Sequence, residues 1–103
     1  MGARNYASDG VEGDTTPPVV ERVQLGVRME KRMVKVLKAL AEYLDLSLGD
    51  LLEGVVLHAF ANTPPFSPTT LQRIEQLKEV YGMEYDVRVS HHLVEHAQPH
   101  DTA

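Results

Sequence analysis

The feature that most constrains this chain is a change of hydrophobic period near Met29. From Arg22 to Met29 the sequence RVQLGVRM alternates, with Val23, Leu25, Val27 and Met29 on one side of an extended chain and Arg22, Gln24, Gly26 and Arg28 on the other. That two-residue period belongs to a half-buried strand. Beyond it Met33, Leu37, Leu40 and Leu44 recur at intervals of four, three and four, widened by Val36 and Ala41, the spacing of a helix buried along one stripe. The pattern predicts a strand over 22–29 followed directly by a first helix over about 31–44.

Three signals punctuate the chain beyond Leu44. Asp45-Leu46-Ser47 breaks the stripe, and Ser47-Leu-Gly-Asp50 has the form of a capping box that opens a second helix. Leu51, Leu52, Val55, Val56, Ala59 and Phe60 make that helix apolar around so much of its circumference that it is expected at the centre of the fold. It must stop before Thr63-Pro64-Pro65, because proline lacks an amide proton and disfavours helical geometry in the residue before it. Ser67-Pro68 starts a third helix, striped by Leu71, Ile74, Leu77, Val80 and Tyr81 and closed by Gly82, so that it should span 68–81. The next residues, MEYDVRVSHHLVEH, read either as a strand through Tyr85, Val87 and Val89 or as a helix capped by Asp86, and the helix is preferred.

A lone strand of eight residues leaves unpaired backbone donors and acceptors on both edges. No second convincing strand exists in this sequence to pair with it, so its simplest partner is the same strand of a second copy. Size points the same way: 22–63 is near the length below which a unit needs oligomerisation to bury enough apolar surface. A two-fold dimer would also cover the second helix with its twin. The rival is a monomeric helical bundle, which leaves the alternating segment without a partner.

Composition excludes several classes. The 103 residues contain no cysteine, so neither a disulfide framework nor a thiolate metal site can form. No apolar run approaches the roughly 18 residues of a membrane span, and no signal-peptide pattern is seen, so a cytoplasmic location is expected. The net charge of -5 argues against nucleic acid only until it is resolved by segment. Residues 22–38 hold Arg22, Arg28, Lys31, Arg32, Lys35 and Lys38 against Glu30 alone, a local +5, while 1–21 and 64–103 carry -3 each. Such a segment suits a polyanion; its rival reading is an ordinary solvated helix face.

The order strand, helix, short turn, helix over 23–60, VQLGVRMEKRMVKVLKALAEYLDLSLGDLLEGVVLHAF, with L-x-x-L-A-x-x-L-x-L-S at Leu37, Leu40, Ala41, Leu44, Leu46 and Ser47, resembles the ribbon-helix-helix family of Arc- and MetJ-type repressors. The resemblance covers a little over a third of the chain. It implies a mainly α fold: a ribbon-helix-helix dimer, one short strand per chain pairing into an intermolecular antiparallel ribbon, plus extra C-terminal helices. Together with composition and period, which give a disordered acidic tail (1–20), a helical extension (64–98) and a frayed end (99–103), it places the dimerisation and DNA-binding unit at 21–63. In that family the ribbon enters the major groove and the start of the second helix holds a phosphate. Carried onto this sequence, Arg22, Gln24 and Arg28 become base readers. That role fits their chemistry, since arginine pairs with guanine and glutamine with adenine. Ser47, Leu48 and Gly49 would meet a phosphate at the positive end of the second helix, and Lys31, Arg32 and Lys35 would add backbone contacts.

The function implied is a sequence-specific transcriptional regulator, repressor or antitoxin-like, working as a homodimer on double-stranded DNA and located, in a bacterium, at the nucleoid. The alternatives are a dimeric protein-interaction module, with 64–98 contacting a protein partner, and a metal-responsive regulator. Four of five histidines fall within 91–100, and His92 and His96, four apart, would share a helical face as transition-metal ligands; chance histidines in a polar tail are the blander reading. His58, inside the apolar second helix, is expected to be partly buried and to bond a backbone group. No cofactor is expected. No glycine-rich phosphate loop or nucleophile elbow is present, and both helix-opening serines are accounted for as caps, so the chain is not expected to be an enzyme.

Overall fold

A computed structural model of the chain describes residues 16–95. Three helices follow an extended arm: α1 (Lys31–Leu44), α2 (Leu48–Phe60) and α3 (Pro68–Val80), after which a single 3-10 turn spans Val87–Val89. The boundaries of α1 and α2 are those expected from period and capping, and α3 ends one residue earlier than expected.

Each terminus has a local cause. Ser47 Oγ accepts from the Asp50 amide at 3.1 Å and Ser67 Oγ from the Thr70 amide at 3.1 Å, the side-chain half of an N-cap. At the start of α1 the cap is Glu30, whose carboxylate accepts from the Met33 amide at 3.0 Å. Asp45 closes α1 in the left-handed region with φ 59°. At the end of α2, Asn62 takes φ 54° while the Thr63 amide donates to the His58 carbonyl at 2.9 Å. Gly82 does the same for α3 at φ 68°, and the Met83 amide reaches the Lys78 carbonyl at 2.8 Å. These are the left-handed closures that satisfy the last carbonyls of a helix.

The core is small. Leu40 and Ala41 of α1 and Leu51 of α2 are buried together, packed about by Leu37, Leu44, Val55, Phe66, Ile74 and Leu77. Both α2 and α3 pack on α1 and not on each other, which corrects the expectation that α2 is central. Only Leu51 of α2 is buried, and Val56, Leu57 and Phe60 are 44%, 66% and 83% exposed. The amphipathic first helix takes the centre because it can offer its stripe to two neighbours.

Two further expectations are overturned. Among the described residues there is no strand, so the ribbon-helix-helix dimer with its intermolecular ribbon is not supported. Residues 17–29 are extended but make no backbone hydrogen bond to other described residues. Alternation selects an extended backbone, whereas a strand needs a second edge, and the described residues supply none. Val23, Leu25 and Val27 consequently lie 81%, 76% and 66% exposed. The helix expected after Asp86 is likewise absent. The Asp86 carboxylate does cap, accepting from the Arg88 amide at 3.0 Å, but the turn ends at Ser90 and His91 adopts φ 67°, which breaks helical propagation. Most of the expected 1–20 tail and all of 96–103 lie outside the described residues.

Candidate nucleic-acid interface

The basic segment occupies the arm and one face of α1. Lys31, Lys35 and Lys38 stand at i, i+4 and i+7, all exposed, and no described carboxylate approaches any of them within 4 Å. The Lys35 ammonium lies 6.0 Å from the centre of the Tyr81 ring, at the limit of a cation–π contact. This stripe exists because α1 buries Val36, Leu40 and Ala41 on its other side.

The arginines of the same segment are spoken for. Arg22, expected at a base edge, instead donates from Nε and Nη2 to the two oxygens of Glu53, both at 2.8 Å. The Arg22 fork holds the Glu53 carboxyl below its ordinary range, chiefly by hydrogen bonding. Asp50, in the first turn of α2, adds to the negative field around Arg22. Arg28 is paired with Glu95, although its side chain stays 82% exposed. Gln24 is exposed with no side-chain partner among the described residues, and open space surrounds the Gly26 Cα.

Arg32 joins a network at the start of α1. Its Nε donates to Glu30 at 3.0 Å, its Nη1 to the Gly82 carbonyl at 3.0 Å, and its guanidinium lies 5.5 Å from the Tyr85 ring centre. The Tyr85 hydroxyl donates to the same Glu30 carboxylate. Partial burial by itself pushes the Glu30 carboxyl up. The hydrogen bonds it accepts from Tyr85, from the amide and guanidinium of Arg32 and from the Met33 amide outweigh burial and hold it at about 2. Burial, followed by the bond to Glu30 and its charge, pushes the Tyr85 phenol up to about 12.

The other expected contacts are placed less favourably for an anion. At the start of α2 the Ser47 hydroxyl is engaged by the Asp50 amide, and Asp50 adds an acidic residue to the same first turn as Leu48 and Gly49. A cavity of about 640 Å³ between α3 and 82–86 is lined by Glu75, Glu79, Glu84 and Asp86 with Lys78, a lining that repels a polyanion. His92 is exposed and His96 lies outside the described residues; no group of three or more histidine or acidic side chains suited to a metal exists among the described residues. His58 is exposed and not partly buried as expected, although its Nδ1 is 2.7 Å from the Gly54 carbonyl, the backbone bond expected of it. No helix among the described residues is long and apolar enough to cross a membrane.

Glu30, Glu53, Tyr85 and Glu95 are the participants that sequence reasoning missed. Glutamate is not a favoured N-cap, so Glu30 carried no capping signal. The others meet their partners only across long stretches of chain.

No family model matches this chain, and neither the curated proteins nor the solved structures contain a match to it.

Proposed function

We propose that the chain is a homodimeric DNA-binding regulator of the cytoplasm that meets the duplex with the Lys31, Lys35 and Lys38 face of α1 and with Gln24 and Arg28 of the extended arm. The observation that carries this reading is the lysine stripe: three exposed cations on one helical face without a described carboxylate partner, while each arginine of the segment is paired. Lysines so placed neutralise phosphates and release counterions. Gln24 and Arg28 supply the donors and acceptors that distinguish bases.

Dimerisation is supported by the apolar surface that one chain leaves open. Glu53, Val56, Leu57 and Phe60 lie on one stripe of α2, and the Arg22–Glu53 pair brings the arm, with exposed Val23 and Leu25, to its head. Apolar surface grouped in this way marks an association site, and a second copy would double the lysine stripe on one particle. A protein partner for 64–98 is the second reading, favoured by the acid-lined cavity beside α3.

The test is an anisotropy titration against labelled genomic fragments at two salt concentrations. Replacing Lys31, Lys35 and Lys38 by alanine should weaken all sequences alike and reduce the salt slope by about three per chain. Absence of salt-sensitive binding to any fragment by the intact protein refutes the reading. Sedimentation showing a folded monomer at micromolar concentration refutes the dimer.

A further inference from the structure

The segment after α3 lies along the basic segment. Gly82 offers its carbonyl to Arg32 Nη1 at 3.0 Å, Tyr85 donates to Glu30, and the Tyr81 and Tyr85 rings lie beside Lys35 and Arg32. From that anchor the chain turns back twice, with the Ser90 amide on the Val87 carbonyl at 3.0 Å and the His92 amide on the Val89 carbonyl at 2.9 Å. The second turn brings Glu95 to Arg28. The remaining acids of the strap differ in their engagement: Asp86 is paired with Arg88 at 2.7 Å, whereas Glu84 forms no ion pair among the described residues.

We propose that residues 82–95 form an autoinhibitory strap in which the Glu95 carboxylate occupies Arg28 and competes with the duplex for it. A carboxylate presents two acceptor oxygens to a guanidinium, as the edge of a guanine presents two acceptors, and tethering gives it a high effective concentration against a ligand in solution. The contact is exposed on both sides, with side chains 82% and 63% accessible, so a polyanion can displace it. The strap therefore tunes affinity and does not abolish binding. This inference rests on the DNA-binding reading.

The experiment compares full-length wild type, Glu95→Gln, Glu79→Gln and Arg28→Ala, and the pair Arg28→Ala with Glu95→Gln, on one labelled duplex at two salt concentrations. Glu79→Gln makes the same change of charge away from Arg28. Glu95→Gln should tighten binding about fivefold at the lower salt. Glu79→Gln should do distinctly less, and the gain should vanish when Arg28 is alanine. Equal gains from the two glutamine variants, or a gain that survives loss of Arg28, overturn the strap as a specific competitor. If wild type binds and Glu95→Gln binds identically, the strap falls while the DNA reading stands. If neither wild type nor variant binds at the lower salt, both fall.

Discussion

Replacement of Glu30 by glutamine tests the anchor on which α1 and the strap both depend. The carboxylate accepts from the Met33 amide, from Arg32 and from the Tyr85 hydroxyl, and its side chain is only 21% exposed. The fall from an ordinary 4.5 to about 2 corresponds to roughly 3 kcal/mol at about 1.4 kcal/mol per tenfold change in proton affinity. Residual exposure discounts that figure. Glutamine retains an acceptor for the Met33 amide but not the charge, so a loss of about 2 kcal/mol is expected at pH 7, within the range of a cap and charged hydrogen bonds. The pH dependence is diagnostic. A carboxyl that ionises lower in the folded chain than in the unfolded one contributes fully above about 4.5 and loses its contribution as the pH falls through about 2. The gap between wild type and Glu30→Gln, measured by urea unfolding at matched protein concentration, should therefore be full at pH 7 and close to zero near pH 2. A gap independent of pH, or one below about 0.5 kcal/mol at pH 7, would refute the assignment of Glu30 as an ionised hub.

Other perturbations probe separate links. Tyr85 titrates in the opposite sense: with its folded value raised from 10 to about 12, its contribution is complete below 10 and is lost as the pH rises through 12, so Tyr85→Phe should remove that alkaline transition from a pH melt. Leu40→Ala, at a site 2% exposed, should cost about 2–5 kcal/mol in urea unfolding, and a loss under about 1 kcal/mol would mean that the core lies elsewhere. Gly82→Ala, at φ 68° with no steric obstacle, should lower stability by about 1 kcal/mol through backbone strain alone; an unchanged midpoint would remove the left-handed closure of α3. Arg22→Ala breaks an exposed pair and should leave the thermal midpoint nearly unchanged, whereas a large fall would show that the arm is integral to the fold.

The contrast between legible and illegible features tracks the range of the interactions. Ser47 and Ser67 could be recognised as caps because the amides they accept from are three residues away, and the α1 stripe could be read because Leu37, Leu40 and Leu44 face one side of any helix. Gly82 likewise declared the end of α3 within one residue. The helix after Asp86 was misjudged by the same local logic: the cap signal is real, but His91 turns the backbone into the left-handed region after one 3-10 turn.

Residues Arg22, Arg28 and Arg32 illustrate the limit for function. From sequence they are outward cations on a basic segment with Glu30 as the single acid. In the folded chain Arg22 meets Glu53 across 31 residues, the Glu30 hub that holds Arg32 meets Tyr85 across 55, and Arg28 meets Glu95 across 67. No period or spacing can announce contacts of that separation, because they depend on how α1, α3 and the following turn pack. The sequence by itself determined the three helices and, within a residue or so, their ends, all of which depend on neighbours within a few residues. Only the tertiary structure decided that α1 lies at the centre, that the arm has no backbone partner among the described residues, and that Lys31, Lys35 and Lys38 stay open while Arg22, Arg28 and Arg32 are bound, because burial and charge pairing are set by groups that folding alone brings together.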